Sequence, residues 1–231
     1  MLTSSERTFF TNAYIVETKN AVVVVDTMMI NSDALGLKQY IEEIGKTLLA
    51  IIITHGHPDH YNGCNVLIST FGEIPIISTK GVRECIENTV DSKEVKWKPY
   101  FGKEWPETRW LPNQIVSDRD ELFFDGLEYK FRDLGAAESQ SDLYFTIGVN
   151  RPVIFLGDVV FNSMLGFTND GNSRLWLQVL DQLLIEVGDV KRLFTCHGMP
   201  GKSFDHIKAQ IEYLSNYRDI LSSMLLEKKG V

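Results

Sequence analysis

The residues with the clearest chemical potential lie in one short segment, residues 54–60, which reads THGHPDH. It contains four side chains of metal-binding type, namely His55, His57, Asp59 and His60. Imidazole and carboxylate groups are ligands that zinc and neighbouring transition metals prefer in proteins. Single histidines on a surface loop are common, but this density of candidate ligands predicts a metal site.

The apolar run before this segment explains how its side chains can converge. Residues 48–53, LLAIII, have the length and the branched side chains of a strand that is buried on both faces. Pro58 fixes its own φ and favours an extended conformation at His57, which restricts the path of the loop. The candidate ligands therefore follow a core strand directly, and a helix to about Phe71 is expected after them.

Short apolar strands and amphipathic helices alternate along the chain. Residues 9–17 and 21–26 are predicted strands of a hairpin, and residues 31–45 are a predicted helix that ends at its terminal glycine. A long amphipathic helix over residues 203–228 is expected last. This alternation predicts an α/β fold in which helices pack outside a mixed sheet.

The spacing His-x-His-x-Asp-His after an apolar strand resembles the signature of the metallo-beta-lactamase superfamily, a group of metallohydrolases. The resemblance covers nearly the whole chain and is weakest over residues 79–112. It implies a four-layer αββα sandwich of two mixed β-sheets flanked by helices. It also implies further metal ligands at the ends of later strands.

Two later strand ends carry residues that match these expected ligands. Asp158 follows an apolar strand at residues 152–156 and matches the metal-bridging aspartate of the family. His197 follows a strand at residues 190–195 and matches the final histidine of the family. Cys196 alternates to the other face of that strand, so it is expected to be a small, buried hydrophobic residue.

Glu138 is the main departure from the family pattern. Most members have a histidine at the end of a glycine-rich turn, and alignment on the following strand, residues 142–149, puts Glu138 at that place. Glutamate reaches about as far as imidazole and is a known zinc ligand. The alkylsulfatase-like branch, which this chain resembles here, has a glutamate at the same position. The alternative interpretation is a solvated turn residue.

The resemblance implies a site for two metal ions. It assigns His55, His57 and Glu138 to a first metal. It assigns Asp59, His60 and His197 to a second metal, and Asp158 bridges the two. A hydroxide that bridges the metals would be the nucleophile, and the two aspartates Asp59 and Asp158 are the expected catalytic residues. Zinc is the expected cofactor, with Fe²⁺ or Mn²⁺ as alternatives.

The expected activity is hydrolysis of a small molecule. The bond cleaved is that of an ester, lactone, thioester, sulfate ester or phosphodiester, and the sequence does not choose among them. Asp158 argues against the β-lactamases, whose zinc-dependent subclass has a cysteine there. Glyoxalase II-type thioesterases carry a longer C-terminal substrate domain, which is not expected in this chain and argues against that branch. The alternatives are an Fe(II)-dependent sulfur dioxygenase-like oxidoreductase and a non-catalytic metal-binding module.

Two aromatic segments and one aspartate keep open roles. Three of the four tryptophans fall within residues 97–110, where they either plug a helical hairpin onto the core or cap the metal site. Residues 161–171 add two phenylalanines, so both segments favour an apolar substrate. Asp26 lies at a strand end and is either a turn residue or, as the resemblance implies, a residue that lies near the metals without binding them.

Composition restricts the partners and the compartment. The chain has 231 residues, of which 44% are hydrophobic and 23% charged, and we expect a single domain over residues 1–231. A net charge of −8 without a basic cluster argues against nucleic acid. There is no secretory or membrane-spanning pattern and no CxxC among Cys64, Cys85 and Cys196, so we expect a cytoplasmic protein with reduced thiols. A homodimer stays open.

Overall fold

Two mixed β-sheets lie face to face, as the resemblance implies. The computed structural model describes residues 1–187, 190–201 and 205–229, and it describes residues 227–229 by their backbone alone. Within these residues the first sheet has six strands in chain order: β1 (Leu2–Thr3), β2 (Asn12–Glu17), β3 (Ala21–Val25), β4 (Thr47–Ile52), β5 (Ile76–Thr79) and β6 (Gln114–Val116). The pairs from β1 to β3 are antiparallel, and the pairs from β3 to β6 are parallel.

The second sheet contains the later strands. In chain order they are β7 (Glu121–Phe124), β8 (Leu127–Gly135), β9 (Asp142–Ile147), β10 (Val153–Phe155) and β11 (Arg192–Phe194). The pairs from β7 to β10 are antiparallel, whereas β10 and β11 are parallel. The carboxyl ends of β10 and β11 therefore meet at the same edge, and this edge carries Asp158 and His197.

Alternating side chains of β3 fill the cores on both faces of the first sheet. Val22 and Val24 pack in a core shared with helices, while Val23 and Val25 pack in the core between the two sheets. All four are fully buried. β4 also contributes to both cores, with Leu48 and Ile51 on the helix side and Ala50 and Ile52 between the sheets. The predicted strand that is buried on both faces is thus confirmed.

Helices cover the outer face of each sheet. Within the described residues they are α1 (Asn31–Ile44), α2 (Pro58–Tyr61), α3 (Cys64–Phe71), α4 (Lys80–Phe101), α5 (Ser173–Glu186) and α6 (Asp205–Lys229). α1 and α3 pack on the first sheet, and α5 and α6 pack on the second. The predicted αββα fold class is confirmed. None of these helices combines the length and apolar character that a membrane span requires.

Some element boundaries differ from the sequence prediction. The strand predicted over residues 9–17 begins only at Asn12, because Phe9 and Phe10 have φ values of 67° and 55°, which a strand does not accommodate. The last helix was expected from Ser203, a residue that lies outside the described ranges. The helix predicted to end at Gly45 does so, with that glycine in the left-handed conformation at φ 67°.

The tryptophan-rich segment divides between its two predicted roles. Trp105 is 2% exposed and packs with Met29, Ile30 and Phe101 in a small separate cluster, as a plug would. Trp97, on α4, packs against the outside of this cluster and lines a cavity above the candidate ligands. The segment is therefore a helix end that is anchored by one tryptophan and presents another.

Candidate metal centre

Seven candidate ligands meet at one end of the sandwich. They follow the carboxyl ends of β4, β8, β10 and β11 and are His55, His57, Asp59, His60, Glu138, Asp158 and His197. All seven are buried, with at most 9% of any residue exposed. The sequence predicted that these residue types would converge at strand ends, and the geometry brings all seven together.

The first group consists of His55, His57 and Glu138, whose ligand-type atoms lie within 4.8 Å of one another. His55 Nε2 is 3.1 Å from His57 Nδ1. Glu138 Oε2 lies 3.3 Å from His57 Nδ1 and 3.7 Å from His55 Nε2. Two imidazole nitrogens and one carboxylate oxygen thus face a common point.

The second group consists of Asp59, His60 and His197, again within 4.8 Å of one another. Asp59 Oδ2 lies 3.2 Å from His60 Nε2 and 3.6 Å from His197 Nε2. Asp158 Oδ2 lies between the groups, 3.1 Å from His197 Nε2, 3.5 Å from His60 Nε2 and 3.8 Å from His55 Nε2. Asp158 therefore holds the position that a bridging carboxylate needs.

Hydrogen bonds orient two of the imidazoles through carboxylates. His57 Nε2 lies 3.3 Å from Asp170 Oδ2, and His60 Nδ1 lies 2.9 Å from Asp26 Oδ2. Because an ionised carboxylate only accepts hydrogen bonds, the ring hydrogen belongs on these nitrogens. The opposite nitrogens, His57 Nδ1 and His60 Nε2, then present lone pairs to the site, as metal-binding histidines do.

Polar oxygens orient the other two imidazoles in the same sense. His197 Nδ1 donates to the carbonyl oxygen of Phe9 over 2.9 Å. His55 Nδ1 lies 3.1 Å from Thr54 Oγ1, and this hydroxyl itself donates to Asp26 Oδ2 over 2.8 Å. Thr54 is therefore the acceptor for His55, which leaves His55 Nε2 free to face the site. All four histidines are oriented as ligands.

Asp26 accepts several of the hydrogen bonds that connect these side chains. Its Oδ2 also accepts a hydrogen bond from Cys196 Sγ at 3.0 Å, and its Oδ1 accepts from the Thr54 backbone amide at 2.9 Å. Of its two predicted roles, the geometry matches the residue that lies near the ligands without joining the two groups. Cys196 is buried as expected, yet its thiol is a hydrogen-bond donor rather than a purely hydrophobic neighbour.

Two local features place the carboxylates of the second sheet. Asp142 Oδ2 accepts hydrogen bonds from the amides of Ala137 and Ser139, at 3.2 and 2.9 Å, and so holds the turn that presents Glu138. Gly157, just before Asp158, has φ 55°, and a Cβ atom there would approach the Thr54 side chain to 2.9 Å. Glycine is therefore required for the close approach of the two sheets.

Opposite charges balance one another around the second group. Burial would lower the pKa of His60, but neighbouring carboxylates, with Asp59 first, raise it well above its usual value. Burial also opposes protonation of His197, yet Asp158 raises the pKa of His197 to about 10. Burial would raise the pKa of Asp158, but the imidazoles of His197 and His60 lower it well below its usual range. The carboxylates of this group are therefore stabilised by positive charge beside them.

The described residues do not stabilise a negative charge on Glu138. Burial, and then repulsion from Asp158, raise the pKa of Glu138 well above its usual value. Neither of its carboxylate oxygens has a hydrogen-bond partner among the described residues. Burial of a carboxylate without partners is unfavourable, whereas a cation between Glu138, His55 and His57 would satisfy it.

Other buried atoms of the candidate ligands are also unsatisfied. His60 Nε2 and Asp158 Oδ1 are buried and lack hydrogen-bond partners within the described residues. Imidazole nitrogens and carboxylate oxygens are suitable donors for zinc, iron or manganese. The residues present therefore fit two neighbouring divalent cations, one in each group.

Comparison with known proteins agrees with this geometry. A family model described as the Metallo-beta-lactamase superfamily matches residues 7–197, a span that includes all seven candidate ligands. The chain belongs to the metallo-beta-lactamase superfamily. The family predicted from the ligand loop is thus confirmed, and membership implies divalent metal ions as cofactors.

Curated relatives of this superfamily member are distant. A hydroxyacylglutathione hydrolase from Prochlorococcus marinus (strain MIT 9301) is 28% identical over 145 residues, which cover 63% of this chain and 49% of the relative. One from Idiomarina loihiensis is 26% identical over 179 residues, which cover 78% of this chain and 57% of the relative. The chain thus spans about half the length of these relatives.

Solved structures support the fold. A metallo-beta-lactamase from Pontibacter korlensis has a TM-score of 0.72 and 16% identity, with 89% of this chain and 87% of that chain covered. The metallo-beta-lactamase FIM-1 from Pseudomonas aeruginosa, in its mono-zinc form, has a TM-score of 0.67 and 13% identity, with 90% and 84% covered. At such identities the likeness concerns the αββα architecture alone.

A cavity of about 330 Å³ opens above the candidate ligands. Five of the seven ligands line it, namely His57, Asp59, Glu138, Asp158 and His197. Its walls are mainly apolar and include Trp97 on α4 together with Phe161 and Phe167. Both aromatic segments that were expected to favour an apolar substrate therefore reach the cavity.

Sequence reasoning did not identify Asp170, Thr54 or Asp142 as part of the centre. Asp170 is 113 residues from His57 in the chain, so no local spacing connects them. Thr54 and Asp142 are ordinary polar residues at strand ends, where turn formation would account for them equally well. Thr54 acts through the Asp26 and His55 side chains that lie beside it, and Asp142 acts through the nearby amides of the turn that carries Glu138, so only the three-dimensional structure connects either residue with the site.

Proposed function

We propose that the protein is a metal-dependent hydrolase of a small molecule. The observation that carries this proposal is the convergence of seven buried ligand-type side chains on one end of the sandwich, with four imidazoles oriented toward a shared space. Membership of a family of metallohydrolases supports it. In this proposal, residues 1–231 form one catalytic domain.

Two cations would be held by the chain's own side chains in two sets. His55, His57 and Glu138 hold the first, Asp59, His60 and His197 hold the second, and Asp158 joins them. Zinc is the favoured ion, because these donors match catalytic zinc sites and the FIM-1 neighbour is known in a mono-zinc form. Bound divalent cations supply Lewis acidity, which polarises a substrate oxygen and acidifies a nearby water.

The protein supplies orientation and proton acceptance. Asp59 and Asp158 both line the cavity, so their carboxylates lie where a substrate and an attacking water would meet. Oδ1 of Asp158 has no hydrogen-bond partner among the described residues and remains free to accept a hydrogen bond from a bound water. Phe161 stacks on His197 with a centroid distance of 5.1 Å, which shields that edge of the site from water.

The bond to be cleaved is an ester, lactone, thioester, sulfate ester or phosphodiester. The curated relatives hydrolyse hydroxyacylglutathione according to their names, so a thioester is the first substrate type to test.

The three cysteines are buried and form no disulfide bond, which fits a reducing compartment such as the cytoplasm.

Metal analysis followed by an anaerobic activity assay tests the proposal. Protein purified without chelators should contain about two divalent ions per chain and should hydrolyse at least one member of a panel of nitrophenyl esters, thioesters, lactones, sulfate esters and phosphodiesters. Asp158→Ala should lose most of the activity, while Asp181→Ala, at an exposed position of α5, should retain it. Less than one ion per folded chain would overturn the proposal.

A second candidate follows from the donor set of the first group. Two imidazoles and one carboxylate also form the ligand set of non-haem Fe(II) oxygenases. The alternative is therefore an Fe(II)-dependent sulfur dioxygenase-like oxidoreductase. Consumption of a persulfide that requires both Fe²⁺ and O₂, together with no anaerobic hydrolysis, would select this alternative.

A further inference from the structure

The cavity above the candidate ligands contains two positively charged side chains. Lys93 and Lys96 lie three residues apart on α4 and both line the cavity, opposite the ligand-bearing floor. Lys93 is half-buried, and neither lysine forms an ion pair within 4 Å to any residue of the described ranges. By contrast, Lys98 on the same helix pairs with Glu94 at 2.6 Å.

Lys93 and Lys96 place two positive charges in the cavity of an otherwise acidic protein. The chain has a net charge of −8, and apart from histidines these lysines are the cationic residues among those that line the cavity. An anion that enters this cavity would find two positive charges that form no ion pair with the described residues.

An apolar surface lies beside the lysines. Leu165 is 78% exposed and Phe167 is 43% exposed, and both line the cavity together with Trp97. Lys96 Nζ lies 4.7 Å from the centre of the Trp97 ring, so cationic and apolar surfaces adjoin directly. Exposed apolar side chains gathered at a cavity mouth are typical of ligand-binding sites.

We propose that this cavity selects amphiphilic anions, substrates in which an apolar group and a carboxylate-like anionic group flank the bond to be cleaved. Lys93 and Lys96 pair with the anionic group, and Trp97, Leu165 and Phe167 pack against the apolar group. A volume of about 330 Å³ restricts the ligand to a small molecule. The inference rests on the proposed function, because the cavity is the one above the candidate ligands.

Binding of a matched pair of dyes tests recognition without relying on activity. The anionic probe is 8-anilinonaphthalene-1-sulfonate, and its neutral counterpart is N-phenyl-1-naphthylamine, which has the same rings without the sulfonate. In the variant with both Lys93→Gln and Lys96→Gln, the dissociation constant of the anionic dye relative to the neutral dye should rise about tenfold, the effect of two partly exposed ion pairs. Leu165→Asp should weaken the binding of both dyes.

Lys98→Gln is the matched control, because it removes a lysine from the same helix at a position that does not line the cavity. This control should leave the ratio of the two dissociation constants unchanged. If the double lysine variant leaves the ratio unchanged as well, the lysines do not recognise anions and the inference is overturned. An equal change in the ratio with Lys98→Gln would overturn it too, because any lysine of α4 would then suffice.

Substrate selectivity separates this inference from the proposed hydrolase function. The metal-loaded protein is assayed with nitrophenyl esters of equal chain length that end in a carboxylate, a methyl ester or a trimethylammonium group. The carboxylate ester should have the highest kcat/KM, and this advantage should shrink in the double lysine variant. Turnover without any charge preference would overturn the inference and leave the hydrolase intact. The expected dye result with no turnover of any ester would instead support recognition and contradict ester hydrolysis.

Discussion

His57 Nε2 lies 3.3 Å from Asp170 Oδ2, although 113 residues separate the two in the chain. Asp170 belongs to the loop before α5, so the second sheet and its helices help to orient a candidate ligand of the first sheet. The hydrogen bond fixes the hydrogen on Nε2 and directs Nδ1 toward Glu138 and His55. The proposed first metal position thus depends on a residue outside the group of His55, His57 and Glu138.

Asp170→Ala should lower metal affinity without unfolding the protein. Loss of a carboxylate that orients a metal-bound histidine reduces metal affinity by about 10- to 100-fold, and the measurement is competition with a chromophoric zinc chelator. Asp170→Asn keeps an acceptor oxygen, so its affinity should lie between wild type and alanine. Asp91→Ala, at an exposed position of α4, should behave as wild type. Equal affinities for all four proteins would contradict a positioning role.

Asp26→Asn should destabilise the protein and weaken the second metal position. Asp26 Oδ2 accepts from Thr54, His60 and Cys196, and an amide nitrogen in its place would set a donor against these donors. The loss of a buried, charged acceptor should reduce the free energy of unfolding by about 2–4 kcal/mol. Urea unfolding in the presence of a chelator measures this, and zinc titration measures the effect on binding.

Asp125→Asn offers a matched control for Asp26. Asp26 and Asp125 both have a positive φ, 56° and 44°. Asp125 accepts hydrogen bonds from Thr18 and Asn20, but it is exposed and lies in a turn that is distant in sequence from the ligand loop. Its replacement should leave zinc binding unchanged. A zinc affinity that falls equally in both variants would show that the Asp26 effect is not specific to the network around His60.

Gly157→Ala should be more harmful than Gly135→Ala. Both glycines have left-handed φ values, 55° and 61°, but an added Cβ meets Thr54 at 2.9 Å only at Gly157, and nothing within 4 Å at Gly135. The left-handed backbone alone should reduce stability by about 1–2 kcal/mol in each variant. The contact with Thr54 should add about 1–3 kcal/mol at Gly157. Thermal unfolding and metal content compare the two, and equal losses would contradict the packing argument.

The sequence predicted the parts of the fold that depend on local pattern. The apolar run before His55, the left-handed end of α1 at Gly45 and the ligand spacing in the loop all follow from residue type and order. The resemblance of that loop to a known family supplied the αββα layers. Strand boundaries near Phe9 could not be predicted, because its left-handed backbone has no glycine or asparagine to signal it.

The support of the ligands was not predictable for a different reason. Asp170 acts on a side chain that a distant segment brings opposite to it, and polar residues are common in loops simply because they form turns and face water. Cys196 illustrates the same limit, since alternation along its strand predicted burial correctly but not the hydrogen bond to Asp26. Sequence periodicity assigns a face, and the identity of the neighbour on that face requires the tertiary structure.

Glu138→Gln should have opposite effects on the metal-free and the metal-loaded protein. The carboxylate is fully buried, lacks hydrogen-bond partners among the described residues and lies near Asp158, so its pKa is raised by burial first and by Asp158 second. A raised pKa means that ionisation destabilises the metal-free fold above the usual carboxyl range, near pH 4. In a chelator at pH 8, Glu138→Gln should therefore be the more stable protein, by about 1–3 kcal/mol. This advantage should vanish as the pH falls toward 4.

Zinc should reverse the order of stability, because the amide is a poorer ligand than the carboxylate and the first metal position should empty. Glu138→His is the control that separates charge from ligation, since it removes the buried carboxylate but restores a ligand that most family members have. It should bind about two zinc ions per chain, whereas Glu138→Gln should bind about one. Denaturant unfolding with and without zinc, together with elemental analysis, measures both effects. If zinc content and stability are the same in all three proteins, Glu138 is a solvated turn residue, and the first position rests on His55, His57 and Asp158 alone.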